Sequence, residues 1–340
     1  MVKPIEIMAG VFHVLLSGGV GSRLWPLSRR SKPKQYLEIF SDQSLFELAV
    51  KRNFGFSDGL IVVGNAGNKE LSESIIKRMG IFGFRHILEA TPRNTAPAIA
   101  FAAFSTKPDD ILLVTPADHI IEEGEAYNLA VTDAINLART NYLVTFGIPP
   151  TKPETGYGYI ETQGSKVVSF REKPDSKTAE SFLKRGNFLW NSGMFCFKSR
   201  VYLEQLYEHS PEVYKKALEA WTMAKDAVLG YNASISIPSI SVDYAVMEKT
   251  SKIKVVRAEF KWSDMGSFEA VYDYLKEAKY TLDKDENMQL GDKKPTFFVG
   301  LRNCMMISTK EVNLVLSKEA SQDVKSVYEF LELNNPELLQ

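Results

Sequence analysis

The sequence predicts an α/β fold built on a mostly parallel sheet with helices on both faces. Three observations predict it. Short apolar runs alternate with helix-spaced segments from Phe12 to Gly147, the pattern of right-handed strand–helix–strand crossovers. The first run, Phe12 to Leu16, ends in the turn Ser17-Gly18-Gly19-Val20-Gly21, whose glycine backbone can expose N–H groups to an anion. The strongest run, Asp110 to Thr115, leads into Pro116-Ala117-Asp118. Ligands of such sheets sit beyond the carboxyl ends of the strands, so the Gly18 turn and Asp118 are expected in one site.

Each further element has its own signal. Ser44 to Asn53 spaces Leu45, Leu48 and Ala49 as a helix, and Leu60 to Gly64 is a compact apolar strand. Lys69 to Met79 is helical through Leu71, Ile75 and Ile76, and Arg85 to Leu88 is a short strand. Thr95 to Ser105 is an alanine-rich helix opened by Pro92-Arg93-Asn94. Glu123 to Thr140 reads as a long helix and Tyr142 to Phe146 as a strand.

The character changes after Pro149-Pro150. Strands of a mixed sheet are expected at Gly156 to Glu161, at Val167 to Arg171 and from Trp190 to Phe195. Helices are expected at Ala179 to Arg185, Val201 to Glu208 and Pro211 to Val228. Ile253 to Phe260 is a strand leading to Trp262-Ser263-Asp264-Met265-Gly266-Ser267 and a helix to Lys279. Beyond it, short strands are expected at Pro295 to Gly300, Cys304 to Ser308 and Val312 to Leu316. The charged stretch Lys276 to Lys294 reads as a linker, and Ala320 to Leu333 as an amphipathic closing helix. That tail is too small to bury a core alone, so it should pack on the main domain or on a second subunit.

Composition excludes several classes. The 340-residue chain has a net charge of -1 and a pI near 6.5, which argues against nucleic-acid and membrane-surface binding. Its two cysteines, Cys196 and Cys304, have no metal or redox spacing and fit buried thiols in a reducing compartment. Glu6 and His13 interrupt the apolar N-terminal stretch, no signal-type cleavage region follows, and no run approaches a membrane span. A cytoplasmic protein is expected.

The Gly18 turn is followed at once by Arg23 and soon by Lys34. Arg23 suits bidentate contact with phosphate, and Lys34 adds a point charge. A P-loop would close with Lys-Ser or Lys-Thr, which Ser22-Arg23 does not supply. A dinucleotide fingerprint needs a third glycine where Leu24 stands, and Trp25-Pro26 interrupts its helix. The alternatives are a phosphate-binding loop or a structural strand–turn with incidental arginines.

Two aspartates invite a metal. Asp118 follows the strongest strand, and Asp264 sits in a turn made tight by Gly266. Two carboxylates from distant strands suit Mg²⁺, which takes few protein oxygens plus substrate phosphates. The same residues serve equally as turn or N-cap carboxylates. Glu172-Lys173 at a strand end, Asn191 beside Gly193, and Asp243 at a helix start form a second polar set. Such groups read sugar hydroxyls, with Lys173 on a sugar phosphate, or they solvate strand ends. Arg93-Asn94-Thr95 fits base or phosphate contact and also a capped helix start. His119 is read as structural, and His13, His86 and His209 have no ligand spacing.

Taken together these stretches resemble the mannose-1-phosphate guanylyltransferases (GDP-mannose pyrophosphorylases). The resemblance rests on Gly18-Gly19-Val20-Gly21-Ser22-Arg23-Leu24-Trp25-Pro26-Leu27-Ser28-Arg29 with Pro33-Lys34-Gln35, and on Thr91-Pro92-Arg93-Asn94-Thr95-Ala96-Pro97-Ala98. Pro116 to His119, Phe170 to Pro174, Trp190 to Phe195 and Ser241 to Lys249 follow in the family's order. It implies a Rossmann-like nucleotidyltransferase domain over 1–282, then over 283–340 a left-handed β-helix-like segment with a terminal helix, a dimerisation element. It implies GTP and mannose 1-phosphate as substrates, Mg²⁺ as cofactor, a homodimer, and no nucleic-acid or membrane partner. Carried over residue by residue, Ser17, Gly18, Gly19, Gly21, Arg23 and Lys34 hold the nucleotide phosphates, Arg23, Lys34 and Lys173 are the catalytic residues through positioning and charge stabilisation, and Asn94 and Thr95 lie near the base. Asp118 and Asp264 ligate Mg²⁺. Gly158, Glu172, Lys173, Asn191 and Asp243 line the sugar-phosphate pocket. Many bacterial relatives continue into a cupin-type isomerase where this chain stops at Gln340, so a second activity of that kind is not expected.

Overall fold

The computed structural model of the protein describes residues 9–39, 42–291 and 294–340. The expectation attached to Glu6 lies outside them, as do Asp292 and Lys293 of the expected linker. In chain order the elements are β1 (Val11–Ser17), α1 (Leu45–Asn53), β2 (Gly59–Asn65), α2 (Lys69–Arg78), β3 (Arg85–Glu89), α3 (Thr95–Phe104), β4 (Ile111–Pro116), β5 (Ile120–Ile121) and α4 (Glu125–Arg139). There follow β6 (Leu143–Ile148), β7 (Tyr159–Gln163), β8 (Lys166–Arg171), α5 (Ser176–Arg185), β9 (Phe188–Lys198), α6 (Ser199–His209), α7 (Pro211–Met223), β10 (Val228–Leu229) and α8 (Tyr231–Ile235). Last come β11 (Ile253–Arg257), β12 (Trp262–Ser263), α9 (Phe268–Glu277), β13 (Met288–Gly291), β14 (Cys304–Ser308), β15 (Asn313–Ser317) and α10 (Val324–Asn334).

The chain divides into two compact units. The first takes the described residues through Gly18 with Ala49–Ala117 and Ile121–Trp262, and the second takes Gly19–Leu48, Asp118–Ile120 and Ser263–Gln340. The first is organised by a ten-stranded mixed sheet, order β10-β3-β2-β1-β4-β9-β6-β11-β8-β7. β1 is parallel to both β2 and β4. Only β8 and β9 run against the rest. β1 and β4 are mostly apolar because both their faces are buried, and the two polar side chains inside them, His13 and Thr115, hydrogen-bond to each other at 2.8 Å. One face is covered by a core that includes α3, where Ala96, Ala100 and Ala102 are fully buried against residues of α6 and α7. Small side chains let α3 be buried all round. The other face packs on Tyr127, Val131, Ala134 and Ala138 of α4, spaced at helical intervals. The order of β3, β2, β1 and β4 puts a topological switch point between β1 and β4, where ligands of open sheets bind.

The second unit has its own core. Leu24 and Trp25 are buried with Phe268, Val271 and Tyr272 of α9, with Met288, Leu290, Met305, Ile307 and Leu316 of β13 to β15, and with Val324, Tyr328 and Leu331 of α10. The three tail strands form a mixed sheet, β13 parallel to β14 and β14 antiparallel to β15. α1 opens on a capping box, in which Ser44 Oγ accepts from Glu47 N–H and Glu47 Oε2 accepts from Ser44 N–H.

Three expectations change. The helix expected to Val228 ends at Met223, and Val228–Leu229 instead pairs with Leu88 and Glu89 of β3. Asp226 and Ala227 adopt φ of 51° and 58°, which no helix accommodates. No strand forms at Pro295 to Gly300, where Phe297 and Val299 are exposed. The strand next to β14 is Met288–Gly291, inside the stretch expected to be a linker. It comes so close to its neighbour that a Cβ on Gly291 (φ +90°) would meet the Ser308 carbonyl oxygen at 1.9 Å. Its two buried side chains, Met288 and Leu290, are hidden in the sequence by charged neighbours.

Leu331→Ala is expected to cost about 2–4 kcal/mol in chemical denaturation. Leu331 packs in the core that holds Leu24, so the loop after β1 should loosen with it.

Candidate active site

The loop after β1 is held by its own backbone. Leu24 N–H donates to Gly21 O at 2.9 Å, Lys34 N–H to Val20 O at 3.1 Å, and Ser28 Oγ to Gly21 O at 2.5 Å. Gly21 has φ +80°, and a Cβ there would lie 2.4 Å from Lys34 Cβ. The position therefore demands glycine twice, for its dihedral and for the close approach. Around Gly18 and Gly19 an added Cβ would meet no heavy atom within 4 Å, so that backbone faces open space.

The loop, Lys34, Asp118 and Asp264 line one hollow of about 310 Å³. Lys34 is the pivot. Its side chain is 6% exposed, and its ammonium donates to Asp118 Oδ2 at 2.8 Å and to the Asp264 carbonyl oxygen at 2.5 Å. Burial works to raise the Asp118 pKa, but the charges of Lys34 and His119 outweigh it and hold the carboxyl below its usual value. Asp118 therefore stands ionised, which is what a cation ligand needs. Asp264 Oδ1 accepts from Gly266 N–H at 2.9 Å, and a Cβ on Gly266 would come within 2.4 Å of Asp264 Oδ2. Among the described residues no group of three or more His, Cys, Asp or Glu could hold a metal. Two carboxylates on a shared hollow fit instead a hard cation that completes its shell with phosphate oxygens. Arg23 lines the same hollow, exposed and without an ion pair among the described residues. So does Lys325 of α10, a residue with no motif around it in the sequence. No local pattern could have found it, because only the fold brings the tail to the loop.

The second polar set assembles in the first unit around Asn191. Asn191 Nδ2 donates to Asp243 Oδ1 at 2.9 Å, its Oδ1 accepts from Thr145 Oγ1 and Gly193 N–H, and its backbone N–H donates to Gly158 O at 2.8 Å. A Cβ on Gly158 would strike Glu172 Oε2 at 2.4 Å, so glycine there makes room for that carboxylate. Lys173, at φ +47°, is mostly exposed and pairs with Glu172 at 3.1 Å. Asp243 opens a π-helical turn, Asp243–Met247, a form that recurs at functional sites. Burial, and then the nearby Glu172 charge, pushes its carboxyl up to about 6.

The helix-start residues divide. Asn94 is exposed at φ 72°, its side chain accepting from Thr95 N–H. Thr95 Oγ1 accepts from Val242 N–H at 2.8 Å and so braces the segment that presents Asp243. Glu89, closing β3, is buried and accepts from the Arg93 backbone; burial pushes it up to about 7. The sequence reading gave it no role.

A native state that holds the Asp243 proton more tightly than the unfolded chain loses stability as pH rises from the unperturbed 3.8 through about 6. Asp243→Asn keeps the acceptor for Asn191. It is expected to raise unfolding free energy by about 1–3 kcal/mol near pH ~8 and to leave it unchanged near pH ~4, measured by denaturant titration at both.

The sequence profile described as nucleotidyl transferase matches residues 12–280. The alginate biosynthesis protein AlgA of Pseudomonas aeruginosa is 38% identical over 344 residues, spanning 94% of this chain and 72% of that protein. A mannose-1-phosphate guanylyltransferase of Klebsiella pneumoniae is 38% identical over 94% of this chain and 74% of its own. A solved Thermus thermophilus structure, described as a mannose-1-phosphate geranyltransferase, superposes with a TM-score of 0.80 at 27% identity, covering 95% of this chain and 99% of that one. The glycine loop, the Lys34–Asp118 pair and these relatives agree: the chain belongs to the nucleotidyl transferase family, in its mannose-1-phosphate guanylyltransferase branch.

Proposed function

We propose that this chain transfers the guanylyl group of GTP to mannose 1-phosphate, giving GDP-mannose and pyrophosphate. The observation that carries the reading is the hollow in which the glycine loop and Arg23 share a wall with the Lys34–Asp118 pair and Asp264.

A phosphate oxygen of mannose 1-phosphate attacks the α-phosphorus of GTP in line. The new P–O bond forms as the α–β bridging bond breaks, and its electron pair leaves with pyrophosphate. The nucleophile is already anionic at neutral pH, because its second pKa is about 6. No general base is needed, and His119, lining the hollow 3.7 Å from Asp118 Oδ1, has no proton to transfer in this step. The backbone N–H groups from Ser17 to Gly21, with Arg23, hold the triphosphate. Lys34 keeps Asp118 ionised and oriented. Asp118 and Asp264 would hold Mg²⁺, which when bound neutralises charge on the leaving phosphates. Gly158, Glu172, Asn191 and Asp243 take the sugar, Lys173 its phosphate, and the Asn94–Thr95 turn lies near the base.

The tail, 283–340, joins two copies in this proposal. Its parallel β13–β14 step supports a β-helix-like coil. The exposed Phe330 and Leu333 of α10 support a face for pairing. A cytoplasmic setting follows from the substrates, and Cys196 and Cys304 are both unpaired thiols. Among the described residues no helix is long and apolar enough to cross a membrane.

Incubation with GTP, mannose 1-phosphate and Mg²⁺ should yield GDP-mannose and pyrophosphate. Turnover confined to UTP or dTTP with glucose 1-phosphate would move the chain to a sibling activity. Lys34→Met and Asp118→Asn should each lower kcat/KM at least ~100-fold, close to 3 kcal/mol of transition-state stabilisation. Wild-type turnover in both would sink the assignment.

A further inference from the structure

The hollow that holds Arg23 and the Lys34–Asp118 pair carries a third cation, Lys325, in the first turn of α10. Lys34 is committed, its ammonium held by Asp118 and by the Asp264 carbonyl and shielded from water. Lys325 is placed differently. Its side chain is 56% exposed, and its ion pair is with Glu329, 3.3 Å away and one turn along the same helix. A pair between two side chains standing mostly in water is weak and screened by salt. The ammonium can therefore turn to a polyanion in the hollow.

The backbone beneath Lys325 is also fixed where such a contact needs it. Val324 and Tyr328 share a buried core with Leu24, the residue after Arg23. Trp25 Nε1 donates to the Leu338 carbonyl at 3.0 Å, and Arg30 N–H to Leu339 O at 2.8 Å. The tail and the loop are one packed body, with a cation from each on the same wall.

We propose that Lys325 binds, together with Arg23, the two phosphates that leave as pyrophosphate, so that the terminal helix completes the phosphate side of the site. This inference rests on the proposed nucleotidyl transfer. It separates the tail's role from subunit pairing: a residue of α10 touches the leaving group.

The test is calorimetric titration of inorganic pyrophosphate with Mg²⁺ into the full chain and its variants, with the reverse reaction alongside. Lys325→Met should bind pyrophosphate about tenfold more weakly, the loss of one charge-assisted contact. Its KM for pyrophosphate should rise by the same factor, with KM for GDP-mannose and Tm unchanged. Lys325→Arg should keep most of the affinity, and Glu329→Gln should bind at least as tightly as wild type. Pyrophosphate binding by Lys325→Met within twofold of wild type, at unchanged Tm, overturns the proposal. A wild-type chain that binds pyrophosphate through Lys325 yet makes no GDP-mannose would remove the functional reading and leave the lysine's role standing.

Discussion

A buried ammonium has to be paired, and the hollow beside the glycine loop is arranged around meeting that demand for Lys34. With its side chain 6% exposed, Lys34 is compensated by Asp118 and by the main chain at Asp264. Removing one partner of such a pair strands the other charge, so its members are interdependent. Three distant segments are tied at one point by this contact. Gly21 must be glycine because Lys34 Cβ occupies the space its side chain would need. The loop takes its shape from the lysine it approaches, and the lysine keeps Asp118 in the charged form that a cation site requires.

The second polar set follows an opposite logic. Where Lys34 lowers the proton affinity of Asp118, burial and Glu172 raise that of Asp243. Asn191 mediates: its amide spans Asp243, Thr145 and Gly193. Two carboxyls near enough to interact resist being charged together, and the proton on Asp243 is held the more tightly for it. The hydroxyl of Thr95 also fixes the segment that presents Asp243.

Legibility depended on whether the signal was local. β1 and β4 were plain because strands buried on both faces are rich in apolar residues. The Gly18 turn and its cations were plain because anion chemistry uses few residue types. The tail was read less well. Val299 and its apolar neighbours suggested a strand that has no partner, while Met288–Gly291 found one. Pairing is a property of two segments, and one segment's pattern does not contain it. The end of α7 was misplaced for a related reason, since β3 captures Val228 and Leu229.

By itself the sequence determined the alternation of strands and helices, the glycine turn, the carboxylates beyond the strand ends, and the resemblance that named the chemistry. These are local facts, written in residue type and spacing. Only the tertiary structure decided which charges meet. It gave Lys34 to Asp118, raised the Asp243 pKa beside Glu172, and brought Lys325 from the last helix to the first loop. Coulombic and desolvation energies depend on distance and burial in space, and chain order encodes neither until the cores have closed.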